Sequence, residues 1–195
     1  SINIGWTGES NQTAALYGSS VSTAGDVNGD GYSDVIIGSP NFDNGQINEG
    51  RTFVYYGSAS GLSNVNWSTE SNQVSAWFGY SVSSAGDVNG DGYSDVIIGS
   101  PFYDNGENDE GRVYVFHGSA SGLSLSVNWT NDINNVGANY GYSVSTAGDV
   151  NADGYSDVII GAPFYSNGQT YEGAVIVYNG SSTGLSAVPH KFFQS

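Results

Sequence analysis

Gly25-Asp26-Val27-Asn28-Gly29-Asp30-Gly31-Tyr32-Ser33-Asp34-Val35-Ile36-Ile37-Gly38 decides the fold, because the chain repeats it. The same stretch returns residue for residue from Gly86 to Gly99. It returns again from Gly148 to Gly161, with Ala152 in place of one glycine. The copies stand 61 and 62 residues apart. Self-similarity at a fixed period is the signature of a repeat architecture.

Other landmarks keep the same register. Tyr17-Gly18, Phe78-Gly79 and Tyr140-Gly141 precede each copy. Ser39-Pro40, Ser100-Pro101 and Ala162-Pro163 follow it. Next come Glu49-Gly50, Glu110-Gly111 and Glu172-Gly173, then Gly61-Leu62, Gly122-Leu123 and Gly184-Leu185. Trp6, Trp67 and Trp129 align as well, and His190 takes the next slot.

Each unit reads as four short strands. The first lies around Ser19–Ala24, the second at Val35–Ile37, the third at Thr52–Tyr56 and the fourth near Trp67. Gly, Asn, Asp and Ser fill the connections, as tight turns require, and no helical periodicity competes. Four strands per unit of this length predict an all-β β-propeller of four-stranded antiparallel blades, three blades per chain. The chain is read as one repeat domain, 1–195, with blade cores at about 13–66, 74–128 and 136–190. Trp6 to Gln12 align with Trp67 to Gln73, the last strand of a unit, so residues 1–12 are expected to supply an outer strand for ring closure on the C-terminal unit. Closed propellers typically need four to eight blades. Two chains joined head to tail would close, and the expected assembly is a homodimer forming a six-bladed ring; the alternative is a fragment of a longer chain.

Within the first copy, Asp26, Asn28, Asp30 and Asp34 occupy loop positions 1, 3, 5 and 9, and Tyr32 at position 7 offers its backbone carbonyl. Alternate spacing lets a curled loop point several oxygens inward. Ca²⁺ takes 6–8 hard oxygen ligands, and this donor set suits it. The same set recurs as Asp87, Asn89, Asp91, Tyr93 and Asp95, and as Asp149, Asn151, Asp153, Tyr155 and Asp157. One Ca²⁺ per repeat, three per chain, is the expectation. Zn²⁺ is disfavoured because no Cys or His lies in the loops, and Mg²⁺ is the alternative, although it prefers more water and stricter octahedral geometry. An EF-hand is excluded, since position 12 is Ile37 in a strand where an EF-hand needs Glu. Without metal the same residues would read as ordinary Asx-rich turns. Three in-register copies, each with three carboxylates, favour the metal.

With the landmarks around it, this loop resembles the FG-GAP repeat. The resemblance rests on Tyr17-Gly18 or Phe78-Gly79, the acid loop, and Gly161-Ala162-Pro163, with Gly-Ser-Pro in the other two units. It covers essentially the whole chain. That repeat builds the propeller head of integrin α subunits and related bacterial surface proteins. The resemblance implies calcium loops on one face, between the first two strands of a blade. It also implies a role in adhesion and ligand binding at the cell surface or outside the cell. Only three repeats are present here, and they are nearly identical to one another.

Composition agrees. The 195 residues carry 19 Asp+Glu against 3 Lys+Arg, a formal net charge of −16. That balance excludes nucleic acid as a natural partner. No apolar run approaches the roughly 18 residues of a membrane-spanning helix, so no membrane insertion is expected. The absence of Cys removes a disulfide framework. No nucleophile–base pair recurs, so the chain is read as a non-catalytic scaffold for adhesion or protein interaction. The alternatives are a multivalent carbohydrate-binding propeller and an accessory domain of a surface hydrolase. Periodic Trp6, Trp67 and Trp129 are read as inter-blade packing, and Trp77 as an exposed contact. Arg51 and Arg112 are read as rim salt-bridge partners.

Overall fold

The computed structural model describes residues 5–194. Its strands are β1 (Ser20–Gly25), β2 (Asp34–Ser39), β3 (Arg51–Tyr55), β4 (Val65–Glu70), β5 (Ser81–Gly86) and β6 (Asp95–Ser100). There follow β7 (Arg112–Phe116), β8 (Trp129–Asp132), β9 (Ser143–Gly148), β10 (Asp157–Ala162), β11 (Ala174–Tyr178) and β12 (Lys191–Gln194). They form three four-stranded antiparallel sheets, β1-β2-β3-β4, β5-β6-β7-β8 and β9-β10-β11-β12. Among the described residues there is no helix. The architecture is three blades of an all-β, propeller-like fold.

The second strand explains the stacking. Asp-Val-Ile-Ile-Gly shows no polar alternation because both of its faces are covered. Ile36 points into a core shared with the second blade, with Ala24, Val54 and Trp67 on one side and Phe78, Val82, Val96 and Ile98 on the other. Ile37 points the opposite way, into a cluster with Phe53 and Tyr55. The second blade repeats the scheme toward the third, where Ile97, Val113 and Val115 meet Tyr140, Val158, Ile160 and Ile176. Each fully buried Ile contributes roughly 1.5–3 kcal/mol relative to exposure. The blades approach so closely that a Cβ on Gly38 would stand 1.9 Å from the Gly79 carbonyl oxygen. Only glycine fits there.

Trp67 and Trp129 lock successive blades. The Trp67 ring meets Phe116 edge-on at 4.9 Å, and its Nε1–H donates to the Ser124 carbonyl at 2.9 Å. Trp129 does the same on Tyr178 at 5.0 Å and on the Ser186 carbonyl at 3.1 Å. Trp6 meets Tyr55 at 4.6 Å with a similar tilt. Trp67 and Trp129 are inter-blade packing, whereas Trp6 packs on the first blade alone.

Two expectations change at the C-terminal edge. The outer strand of the third blade is Lys191–Gln194, paired to β11, rather than the N-terminal segment. Residues 5–12 form no strand, and residues 1–4 of the assigned segment lie outside the described residues. Val54 pairs with Trp67 and Val115 with Trp129, but the equivalent Val177 pairs with Lys191, not His190. The turn after Gly122-Leu123 is one residue longer than the turn after Gly61-Leu62, and the third copy follows the longer form.

Candidate metal centre

The acid loops join the first and second strands of each blade, so all three lie at the same blade end. In the first, the Asp26 carboxylate organises the turn. Its Oδ1 accepts the N–H groups of Gly29 at 2.7 Å and Asp30 at 3.1 Å, and its Oδ2 accepts that of Gly31 at 2.8 Å. Asn28 Oδ1 accepts the Asp30 N–H at 3.0 Å, and Asp30 Oδ1 accepts the Tyr32 N–H at 2.9 Å. Asn28 Nδ2 donates to Asp30 Oδ2 at 3.0 Å. The Asp87 and Asp149 loops repeat the pattern, with Gly92 and Gly154 N–H groups each at 2.8 Å from the first aspartate.

Position 9 differs in kind. Asp34, Asp95 and Asp157 are fully buried. Asp34 Oδ2 accepts the Val27 N–H and its Oδ1 the Gly57 N–H, both at 2.8 Å. Asp95 holds Val88 and Gly118 at 2.9 Å each, and Asp157 holds Val150 and Gly180 at 2.8 and 2.9 Å. This carboxylate ties the acid loop to the turn that leaves the third strand. Each of its oxygens keeps a second lone pair.

Burial pushes the Asp95 carboxyl up to about 7. The Gly118 and Val88 N–H groups oppose the rise, and the Asp91 and Asp87 charges add to it. Asp34 is raised for the same reasons, burial first, then Asp30 and Asp26. The basic side chains engage elsewhere. Arg112 pairs with Asp132 at 2.6 Å, and Arg51 lies 3.9 Å from Glu70. These are the rim pairs expected of the two arginines. Among the described residues no ion pair reaches the loop carboxylates.

The donor chemistry fits a hard cation. Each loop offers three carboxylates, one amide oxygen and one backbone carbonyl, all oxygen. The convergence is incomplete, however. Among the described residues no three carboxylate or imidazole groups gather into a metal cluster by themselves, and backbone N–H groups take the oxygens of Asp26. A cation would compete with those bonds and with the Asn28–Asp30 contact. The residues that would hold it are Asp26, Asn28, Asp30, Tyr32 through its carbonyl, and Asp34, with their counterparts in the other two loops.

Two features escaped the sequence reading. His117 reaches the second loop, with Nδ1 at 3.2 Å from Asn89 Nδ2. Burial lowers its pKa against the opposing pull of Asp91 and Asp87. Its counterparts, Tyr56 and Asn179, gave no signal that this slot overlooks the loop. At the other blade end, aromatic rings run continuously across two blades. Trp77 meets Phe102 at 4.6 Å, Tyr80 meets Tyr142 at 4.8 Å, Tyr142 meets Phe164 at 6.2 Å and Phe164 meets Tyr171 at 5.5 Å. Asp109, Asn139, Phe164 and Tyr171 line a hollow of about 300 Å³ there. The first blade carries Leu16, Ser19 and Asn41 at the corresponding positions of Trp77, Tyr80 and Phe102. Otherwise near-identical units therefore diverge on this surface.

Blades of this build, each closed by an acid loop on a buried aspartate, define a propeller-type repeat protein. The chain belongs to the FG-GAP repeat family, whose model matches residues 17–55, 78–116 and 140–178. Integrin alpha-PS2 of Drosophila melanogaster is 34% identical over 180 residues, covering 88% of this chain and 12% of that protein. Integrin alpha-V of Gallus gallus is 34% identical over 175 residues, covering 87% of this chain and 16% of that protein. Phosphatidylinositol-glycan-specific phospholipase D of Bos taurus is 35% identical over 172 residues, covering 82% of this chain and 20% of that protein. The chain thus spans between 12% and 20% of the length of these relatives.

Proposed function

We propose that this chain is a calcium-stapled propeller scaffold for adhesion or protein interaction at the cell surface or outside the cell, binding one Ca²⁺ per blade and performing no catalysis. The observation that carries the reading is the fully buried aspartate of each loop, Asp34, Asp95 and Asp157. Each belongs to a loop that carries two further carboxylates. A divalent cation would neutralise them and tie the loop to the rest of the blade, stabilising the folded state by mass action. Zn²⁺ suits this all-oxygen set poorly. The integrin relatives support the adhesion reading.

Calorimetric titration of the chelated protein with CaCl₂ tests this. Three sites per chain are expected, falling to two in Asp91→Asn. No heat of binding up to millimolar calcium would refute the staple.

A second reading, carbohydrate binding, draws on the aromatic row from Trp77 to Tyr171. Tyr142, Phe164 and Tyr171 expose ring surface near Asp109, which suits the C–H faces and hydroxyls of a sugar. Glycan-array binding that disappears in Tyr171→Ala would favour it over protein recognition. The phospholipase D relative keeps an accessory role in a surface hydrolase in view.

A further inference from the structure

We propose that the acid loops are coupled from blade to blade, so that closing one loop, or filling it, steadies its neighbour. The carrier is a line of hydrogen bonds that joins the three buried aspartates. Asp34 Oδ2 accepts the Val27 N–H at 2.8 Å. The Val27 carbonyl accepts the N–H of Ser119, on the second blade, at 3.1 Å. The adjacent Gly118 N–H donates to Asp95 Oδ1 at 2.9 Å, and Asp95 Oδ2 accepts the Val88 N–H at 2.9 Å. From there the pattern repeats. The Val88 carbonyl accepts the Ser181 N–H at 3.0 Å, and the adjacent Gly180 N–H donates to Asp157 Oδ1 at 2.9 Å. Asp95 and Asp157 thus each hold the connection that grips the preceding loop.

A second tie joins the same loops. Ser94, at loop position 8, brackets the backbone of Asp26. Its N–H donates to the Asp26 carbonyl at 2.9 Å, and its Oγ accepts the Asp26 N–H at 3.2 Å. Ser156 brackets Asp87 at the same two distances. Tyr93, at position 7, lays its ring on Gly29, where a Cβ would stand 2.5 Å from it, and Tyr155 does the same on Gly90. These residues are placed by their own loop: the Tyr93 N–H donates to Asp91 Oδ1 at 3.0 Å, and Asp95 follows Ser94 in the chain. Residues 93–95 are therefore one segment shared by two loops, and residues 155–157 another. When the second loop opens, the bracket is lost from Asp26, whose carboxylate gathers the N–H groups of Gly29, Asp30 and Gly31.

Loops that share a segment do not open independently. Connections of this kind open locally at low cost, and a segment already ordered by one loop lowers the ordering cost of the next. Linkage makes the effect reciprocal. Tyr93, through its carbonyl, and Asp95 are also donors that would hold a cation in the second loop, so filling that loop would steady the bracket on Asp26. The filling half rests on the calcium reading above; the coupling of loop opening does not.

Amide hydrogen exchange followed by NMR on the full chain in chelator tests the coupling. Asp91→Ala removes the acceptor of the Tyr93 N–H and loosens the second loop. It should speed exchange of the Gly29, Asp30 and Gly31 amides at least about fivefold, with the amides of β2 as the control for global unfolding. In a Tyr93→Ala/Ser94→Ala background, which cuts the ring and hydroxyl contacts to the first loop, the same substitution should change them about twofold or less. First-loop exchange that ignores Asp91→Ala overturns the proposal, as does an equal response in both backgrounds. Calcium titration supplies a milder variant and a second readout. In a chain whose third loop is silenced by Asp153→Asn, silencing the second by Asp91→Asn should weaken the first about fivefold or more. Tyr93→Ala/Ser94→Ala should erase most of that difference. Unchanged affinity at the first loop overturns the proposal and leaves the calcium reading standing. Absence of calcium binding, with first-loop exchange still answering to Asp91→Ala, overturns the calcium reading and leaves the coupling standing.

Discussion

The Asp95 carboxylate accepts the N–H of Gly118 at 2.9 Å, joining the start of β6 to the turn that leaves β7. The same group accepts the Val88 N–H from within the acid loop. One buried side chain thus closes two turns of its blade. Asp95→Ala strands both donors, and each costs about 1–3 kcal/mol when buried without a partner. The expected loss is roughly 2–5 kcal/mol in chelator, read from urea unfolding. Asp95→Asn keeps one acceptor but turns an amide N–H toward a backbone N–H, so it should recover only part of that loss.

Calcium should raise the melting temperature and EDTA should lower it. A single site at a hundredfold excess over Kd contributes about 2.7 kcal/mol. Scanning calorimetry in 5 mM EDTA and in ~5 mM CaCl₂ checks this. Coincident curves would show that the loops hold their shape through hydrogen bonds alone.

The pH dependence should reverse sign with calcium. The Asp95 carboxyl is raised to about 7 in the folded, metal-free chain, above its ordinary unfolded range. Its stabilising contribution is therefore full below about pH 4 and is lost as pH rises through about 7. Asp34 acts in the same direction. Calcium requires the ionised carboxylates, so in its presence stability should rise across the same window. Melting temperatures from pH 5 to 8 in chelator and in calcium should slope in opposite directions.

At the junction of the second and third blades, Trp129→Phe removes the bond to Ser186 and keeps most of the packing. About 1 kcal/mol should be lost. Trp129→Ala should cost about 3–5 kcal/mol. Similar losses for the two would place the energy in the indole N–H rather than the ring, contrary to the packing seen here.

Gly90→Ala combines two penalties. The residue has φ of 72°, and its new Cβ would meet the Tyr155 ring at 2.5 Å. The backbone strain alone is worth about 1–2 kcal/mol. The expected destabilisation, roughly 1–3 kcal/mol, should shrink in the double variant Gly90→Ala/Tyr155→Ala. Chemical denaturation of the four proteins of that cycle measures the coupling.

Much of this was legible in the chain. Three copies of one stretch determined the repeat, its four strands, the blade class and the residues of the acid loops. Local physics suffices for those features: turn residues need positive φ, and a strand covered on both faces reads as an unbroken apolar run. That Arg51 and Arg112 serve as rim salt-bridge partners was legible too, whereas Asp132 as the partner of Arg112 was not, since the pairing links strands 20 residues apart. What only the tertiary structure decided involves groups that meet across repeats or across an edge. Asp34 looks like Asp26 in sequence, yet one is sealed under a neighbouring turn and the other faces the loop's own N–H groups. His117 approaches Asn89 from 28 residues away, and the ring row from Trp77 to Tyr171 exists only because two blades bring their loops together. The outer strand of the third blade could not be assigned from pattern, because Lys191–Gln194 shares neither the tryptophan nor the turn length of its first counterpart. Repetition reports what each unit does by itself. Burial and edge pairing depend on which unit stands beside it, and that is set by packing in three dimensions.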